Sequence, residues 1–150
     1  MKYLQKHLEK SLILVLMVLT GFLTSCDNTT GSDSPTDAVN DFVKAVKEKN
    51  SSAAWDILSK ESHSMYDKIA ANTNRTGKQY FEVSIEDPNS LGILGEDFEI
   101  LEEKIDGEKA TLIIKNAAGQ TNELYAINES GGWKFDYSRS IQESMKEKTP

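Results

Sequence analysis

Three observations in this 150-residue chain predict an α+β domain, with N-terminal helices packed on a curved, four-stranded antiparallel meander. Apolar residues between Val39 and Ala70 recur three to four positions apart, the helical period. From Asp97 onward the apolar period becomes two, the strand period. The strand-like runs are separated by Asp106-Gly107, Asn116 to Gly119 and Ser130-Gly131-Gly132, short connections suited to hairpins. Helices that precede a run of antiparallel strands segregate to one side of the sheet those strands make.

The first helix opens at Pro35-Thr36-Asp37, because proline fits the first turn and an acid suits the positive end of the helix dipole. Val39, Phe42, Val43 and Val46 then form one apolar stripe, and Lys44, Lys47 and Lys49 gather toward the negative end. Asn50-Ser51-Ser52 breaks and re-caps the chain. A second helix is expected over Ala53 to Lys60 and a third over Ser62 to about Ala71, with Asp56 and Lys60 as a solvated i, i+4 pair. Residues 78–86 fit either period: Tyr80, Phe81 and Val83 suit a strand, and Phe81, Ser84 and Ile85 a helix. A short helix ended by Asp87-Pro88 is favoured. Four strands follow, near Phe98–Ile105, Ala110–Ile114, Asn122–Asn128 and Trp133–Tyr137. In the third, Leu124 and Ala126 share one face and Tyr125 and Ile127 the other. Ser138 to Lys148 has thin apolar content, Ile141 and Met145, and is expected to be a short, frayed helix.

The residues before this domain carry the clearest functional message. Lys2, Lys6 and Lys10 stand against one acid, Glu9, and Ser11 to Leu23 is an apolar run of roughly a dozen residues. It is shorter than the about 20 residues needed to span a hydrocarbon layer, and has the length of a signal-peptide core. Leu23-Thr24-Ser25-Cys26 resembles the bacterial lipobox, Leu–small–small–Cys, and holds the only cysteine of the chain. The resemblance implies that the Cys26 thiol receives a diacylglycerol and that the signal is cut just before it. The expected organisation is a signal peptide over 1–25, a lipidated flexible tether over 26–34 and one domain over 35–150. Residues 27–34 contain no apolar side chain with which to offset their ordering entropy.

The whole chain has 17 basic and 24 acidic residues, net −7. Removing residues 1–25, with three lysines and one glutamate, leaves 14 basic against 23 acidic, net −9. Such a domain is unsuited to nucleic acid, whose binding rests on neutralising phosphates. The expected partners are therefore the membrane, through the Cys26 lipid, and a small apolar ligand or an envelope protein.

Pro35 to Val46, Ala53 to Ser59 and Gly131-Gly132-Trp133-Lys134-Phe135-Asp136 together resemble the nuclear-transport-factor-2-like superfamily, and within it small bacterial lipoproteins of unknown function. The resemblance runs from about Pro35 to Tyr137. It implies a cone whose open end forms a pocket, which in the superfamily's enzymes holds an Asp or His base beside a Tyr or Asp donor. Trp55, Tyr66, Tyr80, Phe81, Tyr125, Trp133 and Phe135 are the candidate pocket residues, since Tyr and Trp join apolar area to a polar tip. Each could equally be core. No catalytic residue is assigned. His63, the single histidine after Cys26, is read as a surface or capping residue, because a general base needs a partner in reach and the sequence names none. Asp97, Glu99, Glu102 and Glu103 lack the ordered spacing of a calcium loop, so neither metal nor cofactor is expected. The leading expectation is a non-enzymatic, lipid-anchored envelope protein. An isomerase- or dehydratase-like enzyme and a pure protein-docking module are the alternatives.

Overall fold

Each strand of the sheet takes its position from a short turn and an alternating apolar face. The computed structural model describes residues 31–87, 89–95 and 97–147. In chain order they form α1 (Pro35–Lys47), α2 (Ser51–Ile57), α3 (Lys60–Ala70), α4 (Gly77–Ser84), β1 (Phe98–Asp106), β2 (Lys109–Asn116), β3 (Thr121–Glu129), β4 (Gly132–Phe135) and α5 (Tyr137–Glu147). The sheet is antiparallel throughout, in the order β1-β2-β3-β4. The predicted α+β class and meander are what the chain forms. The turn between β3 and β4 consists of Ser130 and Gly131, at φ 56° and 85°. Positive φ at both central residues is the demand of a tight hairpin that follows the sheet twist, and glycine meets it without strain.

On the inner face Leu112 pairs with Leu124, Ala110 with Ala126, and Ala126 with Phe135. All five are buried. Helix α1 crosses this face and touches all four strands. Its stripe of Val39, Phe42, Val43 and Val46 is buried there, as the helical spacing predicts. Ser34 caps the helix, its Oγ accepting the Asp37 N–H at 3.0 Å. The register of β1 slips between Ile100 and Glu102, so Ile100 opposes Ile114 while Glu103 opposes Leu112. This bulge turns Glu103 toward the inner face, where its carboxylate accepts the Thr36 N–H at 3.0 Å and the Thr36 hydroxyl at 2.7 Å. A glutamate of the acidic stretch thereby serves the positive end of α1.

Four expectations are corrected. The second helix stops at Ile57 instead of Lys60: Leu58 turns extended, bridges Phe135, and leaves Ser59 to cap α3. Asp56 and Lys60 therefore lie on different helices and do not form the expected i, i+4 pair. The fourth strand ends at Phe135 instead of Tyr137, because the Asp136 carboxylate accepts the Arg139 N–H at 3.2 Å and starts α5. Helix α5 is pinned instead of frayed. Its inward face is serine, with Ser138, Ser140 and Ser144 buried. Finally, contacts with the domain begin before Pro35. Ser32 bridges Trp133, donating its N–H to the Trp133 carbonyl at 3.0 Å and accepting the Trp133 N–H at 2.9 Å. Gly31 allows this approach, since a Cβ there would stand 2.6 Å from the Gly132 carbonyl carbon. Residues 78–86, which fitted two periods, contain the helix α4, opened by a reciprocal pair of hydrogen bonds between Thr76 and Gln79.

The predicted signal segment and Cys26 lie outside the described residues. Among the described residues no helix is long and apolar enough to cross a membrane.

Candidate functional site

The aromatic residues proposed for a pocket divide into a packed cluster and three outliers. Phe42, Trp55, Tyr66, Phe81, Phe135 and Tyr137 come from α1, α2, α3, α4, β4 and α5. Phe81 lies at the centre, with ring centroids 5.5 Å from Trp55, 5.2 Å from Tyr66 and 6.4 Å from Phe42. Phe42 continues to Phe135 at 5.1 Å and to Tyr137 at 6.0 Å. These separations are those of aromatic rings in contact, tilted or edge-on. Phe81 is 1% exposed and Phe135 0%. Four grooves among the described residues are lined by none of the seven candidate aromatics. Burial raises the Tyr66 and Tyr137 hydroxyls above the ordinary tyrosine range. Tyr66, Phe81 and Phe135 are thus buried core, and Trp55 packs against it half-buried.

The others sit apart. Tyr80 is half-buried against the edge of the core. Trp133 is buried at the outer end of β4, where Ser32 pairs with it. Tyr125 lies on the opposite sheet face, under the Arg139 guanidinium, which stands 4.2 Å from the ring centroid. Its hydroxyl donates to Glu123, and burial first, then that hydrogen bond, push its pKa up to about 12.

The largest groove among these four, about 640 Å³, runs along the outer edge of β4. Gly31 and Ser32 form one wall, Asp56 to Leu58 and Lys60 another, and Glu129, Ser130 and Lys134 a third. Its polar groups are largely committed to the fold. The Lys134 ammonium donates to the Asp56 carbonyl, and burial lowers its pKa. Glu129 accepts the Lys60 N–H at 3.2 Å, at the start of α3. Ser32 donates to the Asp41 carboxylate at 2.7 Å. His63, also in the groove wall, stacks on Trp55 with ring centroids 4.1 Å apart and planes 9° from parallel. Its Nε2 is 2.8 Å from the Trp55 carbonyl, which only accepts, so Nε2 carries the hydrogen. The backbone and the indole hold this imidazole, which is neither free on the surface nor a helix cap.

A second polar cluster, unforeseen from the sequence, joins α3, β4 and α5. The Ser59 hydroxyl lies 3.0 Å from that of Ser62 and donates to Asp136 Oδ1 at 3.3 Å. Ser62 Oγ accepts the Ser138 N–H at 3.1 Å. Ser140 donates to the Asp136 carbonyl at 2.8 Å and accepts the Tyr125 N–H at 3.0 Å. That last contact satisfies β3 beyond the end of the short β4. Burial raises the Asp136 carboxyl above its ordinary range. Every hydroxyl here has a partner in the fold, and among the described residues no buried side-chain polar atom is left unpaired. The cluster fastens α5.

Among the described residues no group of three or more His, Cys, Asp and Glu is placed to hold a metal ion. Comparison with protein-family models and with curated proteins found no match.

Proposed function

We propose that this chain is a lipid-tethered protein of a bacterial cell envelope, held to a membrane through Cys26, and that its domain is a non-enzymatic docking module for another envelope protein. The observation that carries the anchor is Leu23-Thr24-Ser25-Cys26 directly behind a basic segment and a short apolar run, with no second cysteine in the chain. Two acyl chains give stable membrane attachment where one gives only marginal binding. The helices-then-meander order supports placing the domain with the nuclear-transport-factor-2-like superfamily.

What favours docking over a small apolar ligand is the aromatic cluster, whose rings contact one another where a ligand would have to sit. An enzyme in the same place meets the same objection, and His63 is committed to Trp55. The surface best suited to a protein is β1, an edge strand of nine residues on which Leu101 and Ile105 are 49% and 52% exposed. An edge strand offers unpaired backbone groups to a partner.

The test of the anchor is Cys26→Ser. The wild-type protein takes up labelled fatty acid and sediments with membranes, and the variant does neither. A variant that stays labelled and membrane-bound overturns the reading. Recovery of the purified protein with a stoichiometric apolar small molecule, read by native mass spectrometry, would overturn the docking part alone.

A further inference from the structure

The lipid reading fixes where the membrane is attached in sequence, and the fold fixes where that attachment leaves the domain. Resting on that reading, we propose that the domain is oriented on the bilayer. The β4 edge and its groove, with Ser32, Lys60, Glu129 and Lys134, face the lipid headgroups, and the β1 edge points away.

Two observations carry this. The first is the length of chain between lipid and fold. Ser32 is hydrogen-bonded to β4 through both of its backbone groups. Six peptide steps separate it from Cys26, so at no more than 3.6 Å each the groove wall stays within about 22 Å of that residue, a reach that the opposite pose would need almost in full. The second is the sheet order. Ser32 pairs outside β4, and β3, β2 and β1 follow in turn. At about 4.8 Å per strand, the β1 edge lies roughly 19 Å from the Ser32 line on the opposite side of the sheet. The consequence for function is direct. The exposed β1 edge is presented to the envelope space, and the groove is reserved for the headgroup layer.

The test uses the full, lipidated protein in vesicles of zwitterionic lipid with a minority of anionic lipid. On that reading the Cys26 thiol is taken up by the lipid, and the chain has no other cysteine. Lys60→Cys and Leu101→Cys, both at exposed positions, therefore each provide one thiol for a spin label. Relaxation by nickel chelated to lipid headgroups is read for each. The label at 60 is expected to relax severalfold more than the label at 101. Doubling the tether with a Gly-Ser insertion after Thr29 is expected to shrink that contrast. Equal relaxation at the two positions, or the reverse order, in protein whose mass includes the lipid overturns the orientation and leaves the anchor standing. Protein that carries no lipid and does not float with the vesicles overturns the anchor and the orientation with it.

Discussion

Replacing Asp136 by alanine removes one carboxylate from the junction of α3, β4 and α5, and the cost follows from what that carboxylate holds. Oδ1 accepts the Arg139 N–H at 3.2 Å as the cap of α5, a contact worth about 0.5–2 kcal/mol. It also accepts the Ser59 hydroxyl at 3.3 Å, which after the change keeps only Ser62, so about 0.5–1 kcal/mol more is lost. The expected destabilisation is about 2 kcal/mol, which for a domain of this size moves the urea midpoint by about 1 M. Asp136→Asn keeps the accepting oxygen and is expected to stay within about 0.5 kcal/mol of wild type at neutral pH. The two variants also separate the charge from the cap. Burial raises the Asp136 carboxyl above its unfolded value, so the folded state binds the extra proton between those two values. The stability that this proton contributes is therefore fully present below about pH 3.9 and is lost as pH rises through the raised value. Asp136→Asn removes that part of the pH profile. The assay is urea unfolding of Cys26→Ser protein, followed by the emission of Trp55 and Trp133 across the acidic range. Equal losses from Ala and Asn would refute the capping role, and stability rising with pH in the part of the profile that Asn abolishes would refute the burial argument.

Two further changes test the core and the tether. Phe81→Ala empties the centre of the aromatic cluster and is expected to cost about 3–5 kcal/mol in urea unfolding, whereas a loss below about 1 kcal/mol would mean the rings surround open space after all. Gly31→Ala forces a Cβ against the Gly132 backbone, so about 1–3 kcal/mol of strain is expected to loosen the Ser32 bridge and speed exchange of the Ser32 amide; unchanged protection would leave residues 31–34 outside the fold.

What was legible in the sequence, and what was not, divides along a physical line. The stripe of Val39, Phe42, Val43 and Val46 declares α1 because apolar burial against a sheet has a period. Ser130 and Gly131 declare a hairpin because few residues tolerate the backbone they adopt. The anchoring of α5, as distinct from its helical state, was hidden because its buried face is polar. Ser138, Ser140 and Ser144 exchange hydrogen bonds with Ser62, Tyr125, Asp136, Ile141 and Gln142, and no count of apolar residues registers that. The break at Leu58 hid because it is tertiary: the residue is drawn out of the helix by pairing with Phe135, 77 positions away. Gly31 reads as a linker glycine until Gly132 is placed against it. At the candidate site, the residue types neither set Tyr80, Tyr125 and Trp133 apart from the cluster nor distinguish rings around a cavity from rings filling it. Only the centroid distances do. The groove on the β4 edge carried no signal, because Ser32, Lys60, Glu129 and Lys134 meet there only through the fold.

Membrane attachment and orientation both depend on Cys26. The most direct measurement is the mass of the N-terminal peptide of the protein purified from bacterial membranes. The expected peptide begins at Cys26 and is heavier than its sequence by a thioether-linked diacylglycerol, with or without a further acyl group on the new amino terminus. A peptide that begins elsewhere, or that begins at Cys26 with an unmodified thiol, contradicts the lipid anchor.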